Sequence, residues 1–438
     1  MVGEHAWSTR RGAWPRGIMA SVLLITAMLA AGAESGWGAG FALTQQGTAA
    51  MAQGNAFVAE ANDPSAIFYN PAGLTQINKF AFYSGTVFNY PSRWYEGDRG
   101  YESQTHHRYY HTSQVFLSVP LQERVALGLG FFTPFGLGTA WPPEWAGRYI
   151  TFWSKLKTYD LNPVVAVKLL DNLSIGGGVC FLWSDVRLKR KIPVIIKGYQ
   201  FPDAESDLQG KGNGIGGNFG ILYEPVKGVK LGAAYRSHIY VEHQGNLVIS
   251  RLPRFLPFPR NSEGSAGLTY PATVQFGVSV NRFAPFTFNL DATWTQWSSY
   301  DKLAVNLDRP MFISGRFTNV VVNEKNWVDA WAFRLGMNYK LNENMTLRAG
   351  YAYDMTPVPR SSFEPQLPDG NRHIFAIGGD LKIWKLNLSW AYNYILFEGR
   401  AKNNYFATNG VPLPPALQAN GKYDADTHSL GLSTTFYW

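Results

Sequence analysis

Residues 429–438 read SLGLSTTFYW, with Leu430, Leu432, Thr434, Phe436 and Trp438 on one face of an extended chain and Ser429, Gly431, Ser433, Thr435 and Tyr437 on the other. Side chains of a strand alternate with a period of two, so this segment sets an apolar face against a small and polar one. Its length is that of a strand crossing a bilayer at a tilt. The alternation recurs upstream. Trp331, Phe333, Leu335, Met337, Tyr339 and Leu341 alternate with Ala332, Arg334, Gly336, Asn338 and Lys340, and Leu347, Ala349, Tyr351 and Tyr353 alternate with Arg348, Gly350, Ala352 and Asp354. A soluble sandwich shares the period, but its apolar face is not girdled by aromatics at both ends. Here Tyr and Trp crowd the segment ends, as interfacial belts require.

The pattern predicts strands at 79–91, 108–121, 124–136, 157–169, 172–189, 213–224, 228–243, 269–282, 286–299, 326–341, 344–356, 372–383, 385–397 and 425–438. Fourteen is an even number, as a single-chain bacterial barrel has. Connections alternate too. Short turns fall at Gln122-Glu123, Leu170-Asp171, 225–227, Ala284-Pro285, Asn342-Glu343 and Trp384. Long loops fall near 92–107, 137–156, 190–212, 244–268, 300–325, 357–371 and 398–424. Short turns belong to the periplasm and long loops to the cell exterior, which orients the barrel.

Composition agrees with an exported membrane barrel. Arg10, Arg11 and Arg16 precede an apolar run from Ile18 to Ala31, so residues 1–38 read as a secretory signal, cleaved after Ala33 or Gly38. No later apolar run reaches the length of a spanning helix, which leaves a closed barrel as the way into a membrane. Aromatics reach 15%, and a single cysteine, Cys180, excludes a disulfide framework. The formal charge of +8 is scattered over presumed loops, without the basic block of a nucleic-acid footprint; it suits anionic lipopolysaccharide or a plain solvated surface.

Between signal and strands lie residues 39–78, rich in Gly, Ala, Gln and Asn and lacking any sustained period. A stretch of this kind is unusual in a compact domain unless something encloses it. It reads as a plug within the barrel or as an N-terminal coil. As a plug, Phe41, Leu43, Phe57, Ile67 and Phe68 pack on the inner wall, and Asn70-Pro71-Ala72 turns the chain into the first strand.

These residues resemble a known family. Ala39-Gly40-Phe41, the small-residue run 47–61 and Asn70-Pro71-Ala72 are similar to the hatch of FadL-type outer-membrane transporters. Thr133-Pro134-Phe135-Gly136-Leu137, Trp145 to Tyr149, Leu161-Asn162-Pro163, Trp297-Ser298 to Asp301, 347–359 and Leu367 to Gly370 continue the likeness over residues 39–438. The aromatic C-terminus resembles the assembly signal of such barrels. The resemblance implies an all-β fold, a 14-stranded antiparallel transmembrane β-barrel plugged by a small N-terminal hatch. It also implies passive uptake of long-chain fatty acids or of aromatic or aliphatic hydrocarbons, with no cofactor. Expected partners are the apolar ligand, outer-membrane lipid and lipopolysaccharide, and the barrel assembly machinery, with the protein a monomer that binds no nucleic acid.

Candidate sites follow. Apolar runs stand in extracellular loops that should be polar: Ile192, Val194, Ile195, Ile196, Tyr199 and Phe201 in one, Leu252, Phe255, Leu256 and Phe258 in another. They suggest a greasy capture site, or two loops packing on each other. The resemblance makes Ala39, Gly40, Phe41, Asn70, Pro71 and Ala72 the gate. Pro134 cannot donate to a ladder and Gly136 has no side chain to fill a pleat, so Thr133, Pro134, Phe135 and Gly136 mark a lateral opening, with Asn70-Pro71-Ala72 expected behind it as its cover, or simply a strand end. Arg236, Arg334 and Arg348 are inward candidates for a carboxylate, against the alternative of a charge ladder.

Other signals weigh less. The G-x-G-x-x-G match at 212–217 opens a strand and lacks a βαβ unit, so no dinucleotide site is expected. His106, His107 and His111 have no Cys and no supporting carboxylate spacing, so no metal site is expected. The rival functions are a lipid-modifying barrel enzyme, which needs a converging nucleophile, base and orienter, and an adhesin built on the long loops.

Overall fold

The computed structural model describes residues 40–98, 100–313 and 315–438; the expected signal sequence, residues 1–38, and Ala39 lie outside them. Fourteen antiparallel strands close into a ring. They are β1 (Ala81–Gly97), β2 (Tyr110–Gln122), β3 (Val125–Phe132 and Gly136–Ala140), β4 (Trp153–Leu170), β5 (Leu173–Ile196), β6 (Tyr199–Val226) and β7 (Val229–Arg236 and Ile239–Ser250). The series continues with β8 (Asn261–Tyr270 and Thr273–Phe283), β9 (Phe286–Thr295 and Lys302–Ile313), β10 (Arg316–Glu324 and Ala330–Lys340), β11 (Met345–Asp354), β12 (Arg372–Ile383), β13 (Leu386–Phe397) and β14 (Gly421–Tyr437). Each pairs with its chain neighbours, and β14 pairs with β1 from Tyr437↔Ala81 to Gly421↔Gly97, which closes the ring.

The alternation is turned inside out relative to a soluble protein. Leu430 and Leu432 are 43% and 47% exposed while Ser429 and Ser433 beside them are buried. On β10, Trp331, Phe333 and Leu335 point outward and Arg334 and Asn338 are buried within. Such an outer surface is stable in hydrocarbon, where pairing around the ring satisfies most of the backbone ladder. No helix among the described residues is long and apolar enough to cross a membrane.

Residues 40–79 run inside the ring. They form two short helices, α1 (Thr48–Met51) and α2 (Ala66–Tyr69), and a 3₁₀ turn at Pro71–Gln76 capped by the Asn70 side chain, which accepts from Ala72 N. Most of this segment is buried, and its partners lie all around the wall. Asp291 on β9 accepts from Phe57 N at 2.6 Å and Val58 N at 2.9 Å. Asn289 and Asn338 donate to Glu60; Gln114 on β2 donates to Gln45 O at 2.7 Å, and Asn218 on β6 to Ile67 O at 3.0 Å. The wall makes room with glycine: a Cβ on Gly350 would stand 2.1 Å from the Gln53 carbonyl carbon.

Three expected loops are largely strand. Residues 190–212 continue β5 and β6 to a turn at Lys197-Gly198, residues 300–325 form the upper hairpin of β9 and β10, and only 251–260 of the stretch 244–268 is irregular. The ladder, once set in the membrane, satisfies the backbone beyond it, and cross-strand ion pairs such as Arg187 with Asp207, at 2.6 Å, keep the extension paired in water. The expected β3 is also broken, at 133–135, where Pro134 withholds a donor.

Candidate transport pathway

At the long-loop end the extended strands surround a cavity of about 610 Å³. Ile192, Val194, Ile195, Ile196, Leu252, Leu256 and Phe258 line it, as the apolar runs suggest. Tyr199 and Phe255 are instead strongly exposed, and Phe255 meets Phe201 edge to face at 5.7 Å, so the two greasy segments also pack on each other. Sequence reading missed the opposite wall, which comes from Val305, Phe312 and Ile313 of β9 and Phe406 and Leu413 before β14. Their apolar character is ordinary for strands and loops, and nothing local says which lumen they face.

Below the mouth a neck of about 80 Å³ shares Leu188, Leu208, Leu247, Leu303 and Val305 with it and ends on Phe41. One polar rung crosses the neck region, Ser184 Oγ meeting His243 Nε2 at 2.7 Å and Tyr270 Oη at 2.6 Å. Phe41 sits among five aromatic rings, with centroids at 4.7 Å (Trp297), 5.5 Å (Tyr300 and Trp327), 6.0 Å (Tyr270) and 6.1 Å (Phe135). Mostly edge-on contacts of this kind add about 0.5–1.5 kcal/mol each beyond burial. Gly40 threads between two of the rings at φ +59°, and a Cβ there would stand 2.7 Å from Trp297 and 2.8 Å from Trp327.

The same segment completes the broken wall. Gly136 N donates to Phe41 O and Leu43 N to Pro134 O, both at 2.8 Å. Gln46 Nε2 donates to Thr133 O at 2.6 Å, while Phe135 N donates to Thr158 Oγ1 at 3.0 Å. Above the break, Gly136–Ala140 pairs only with β4, and β2 pairs with β3 no higher than Val115↔Phe131. The Tyr110 ring lies over Gly138, where a Cβ would be 2.4 Å from it. The gap expected at Thr133 to Gly136 is therefore lined by Phe41 to Leu43. Asn70, Pro71 and Ala72, expected behind it, pack instead against Gly176 of β5 and Gly220 of β6, because Asn70 is engaged with Val58 O and Ile221 O.

Beyond Phe41 a smaller pocket of about 60 Å³ is lined by Ala42, Leu43, Pro134, Arg236, Arg334 and Asp354 among others. The three candidate arginines differ. Arg348 is ion-paired with Asp380. Arg236 pairs with Asp160 at 3.2 Å and contacts Cys180 Sγ and Asn162. Arg334 makes no ion pair among the described residues and donates to Thr293 Oγ1 at 2.6 Å.

The closed antiparallel barrel has relatives among known proteins. The family model described as outer membrane protein transport protein (OMPP1/FadL/TodX) matches residues 29–437. The chain belongs to that family. Its place is the outer membrane. A long-chain fatty acid transport protein of Salmonella typhi is 26% identical over 78% of this chain and 83% of its own length. Among solved structures, a Pseudomonas aeruginosa FadL homologue superposes with TM-score 0.79 at 22% identity, over 91% of this chain and 99% of its own. The Ralstonia pickettii toluene transporter TbuX superposes at TM-score 0.66 and 17% identity, over 90% and 98%. At these identities the two structures establish the fold, which is shared by proteins named for different cargo.

Proposed function

We propose that this outer-membrane protein takes up hydrophobic compounds passively, fatty acids or hydrocarbons, by a route that never opens a water-filled pore. Ligand enters the apolar mouth, moves through the neck and displaces Phe41 from its aromatic cage. Residues 39–78 act as the hatch. Because Phe41 and Leu43 are hydrogen-bonded to the break in β3, their shift frees the gap beside Gly136, and ligand leaves sideways into the bilayer. That exit suits a solute that gains about 0.8 kcal/mol per CH₂ on leaving water. The observation that carries the reading is that one segment, Phe41 to Leu43, both ends the apolar route and closes the wall.

The reading involves no covalent step. Ser184 and His243 meet in the neck, where Ser184 also meets the Tyr270 hydroxyl, and the rung serves hydrogen bonding. The protein acts as a monomer, the aromatic last strand addresses the assembly machinery, and basic residues at the long-loop end meet lipopolysaccharide phosphate. Proteoliposomes loaded with a fatty-acid-binding dye should report uptake of labelled fatty acid while showing no swelling in sugars. Sugar swelling without fatty-acid uptake would replace this reading with an open porin.

A further inference from the structure

Three segments crown the long-loop end: the β5–β6 tip at 195–201, the loop 251–260 and the β9–β10 tip at 311–318. Together they hold five cations, Lys197, Arg251, Arg254, Arg260 and Arg316, and six aromatic rings, Tyr199, Phe201, Phe255, Phe258, Phe312 and Phe317, without one acidic residue. None of the five makes an ion pair among the described residues. Arg260 braces its loop by donating to Leu252 O at 2.8 Å and Pro253 O at 3.1 Å, and the other four are exposed. The next acid along β6, Asp203, is held by Arg148 at 2.9 Å. The rings make one connected tier: Phe201 meets Phe255 at 5.7 Å, and Phe258 stacks on Phe312 at 4.4 Å and meets Phe317 at 5.9 Å, so the loop ties the two hairpins together. Tyr199, Phe255 and Phe317 nevertheless stay 76%, 64% and 56% exposed. Apolar rings held out into water in a contiguous patch mark a surface that a partner covers. Lower on β5 the outward positions Asp185, Arg187 and Lys189 follow Trp183, and Ile195 stands about 30 Å above that ring, taking a rise of about 3.3 Å per residue at a tilt of about 40°. Charges are screened beyond about 8 Å at physiological salt, so phosphates of the protein's own membrane, near the lower charged rungs, do not neutralise the crown.

We propose that this crown docks the protein on an external lipid particle with an anionic surface, its rings entering the interface and its cations meeting the headgroup phosphates. Aromatic rings at the boundary of headgroup and acyl chain, and Lys or Arg over anionic headgroups, are the two signals of an interfacial anchor. Cations of one sign, unpaired and spread over three segments, fit a surface that carries many anions, and the rings between them call for hydrocarbon beneath it. Ile195, Leu252, Leu256 and Phe258 belong both to the crown and to the mouth cavity, so the mouth opens at the docked face. Cargo dissolved in the particle then reaches the mouth without crossing water, whatever its own charge. That consequence rests on the uptake reading above; docking itself does not, and is measured without cargo.

The test mixes the full barrel, in nanodiscs of phosphatidylcholine, with vesicles free of fatty acid and hydrocarbon, and follows their flotation together at physiological salt. Wild type should float with vesicles of equal parts phosphatidylglycerol and phosphatidylcholine, and not with vesicles of phosphatidylcholine alone. Arg251→Gln, Arg254→Gln and Arg316→Gln combined should weaken the association about a hundredfold, the scale of three cations at an anionic surface. Tyr199→Ser, Phe255→Ser and Phe317→Ser combined, which keep every charge, should weaken it about tenfold or more. Failure of wild type to float with the anionic vesicles overturns the proposal. Unchanged flotation of the serine variant also overturns it, and equal retention of that variant and wild type on dextran sulfate would then identify the crown as a site for soluble polyanions. Heat-modifiable migration of each variant ensures that folded barrels are compared. Because no cargo is present, a failure of the uptake reading leaves this result untouched.

Discussion

At the scale of single residues, Gly40 and Phe41 carry the most consequence. A positive φ and two indole rings within contact distance leave no place for a side chain at Gly40, and its backbone sets Phe41 among its aromatic neighbours. Truncating a buried phenylalanine costs about 3–5 kcal/mol where nothing refills the space. Phe41→Ala should leave the barrel folded, because the strand ladder is untouched, and should tighten equilibrium binding of an apolar probe that no longer has to displace the ring. Unchanged probe affinity, measured by titration of the purified protein, would mean that ligand does not use the cage. The three inward arginines make the complementary point. All sit at alternating positions of similar strands, yet Arg348 and Arg236 pair with carboxylates while Arg334 donates to Thr293; register sets Asp291 opposite Arg334, but an Asp291 carboxylate oxygen is taken by Phe57 N and Val58 N of the inner segment.

At the scale of elements, the decisive one is β3. Pro134 interrupts it, β4 holds its upper half alone, and the inner segment supplies the missing partners. Gly136→Arg and Thr133→Arg each place a long cation at the gap while β4 keeps its pairing. Both variants should assemble at the surface and bind apolar ligand, but deliver little of it inward, as read by uptake of labelled fatty acid in whole cells. Normal delivery by both would exclude the side exit and favour passage past residues 40–79 toward the periplasm. The strands β5 and β6 show the other lesson of this scale. Their hairpin outruns the membrane because each added pair satisfies two backbone groups at once, so the mouth is walled by sheet rather than by free loops.

At the scale of the molecule, the barrel is an inverted protein whose two faces obey opposite rules. Leu335 is 48% exposed on the lipid face, and Leu335→Arg should cost about 2–4 kcal/mol in folding into bilayers, measured by urea titration in lipid vesicles. Arg334→Leu, one residue away but facing the lumen, should carry no comparable lipid penalty; an equal loss would contradict the assignment of faces. Those faces, the number of strands and the short-turn and long-loop ends were legible in the sequence, since a period of two is a local property that each segment states for itself. The signs of Thr133 to Gly136 were legible for the same reason, because proline and glycine act on their own backbone. Which residues stand behind that break was not: Asn70 finds its partners on β6, and Phe41 reaches Gly136 across 95 positions of chain only once the ring has closed around it. Contacts of this kind are set by ring closure and register, and a sequence read segment by segment contains the faces of the strands but not the company they keep.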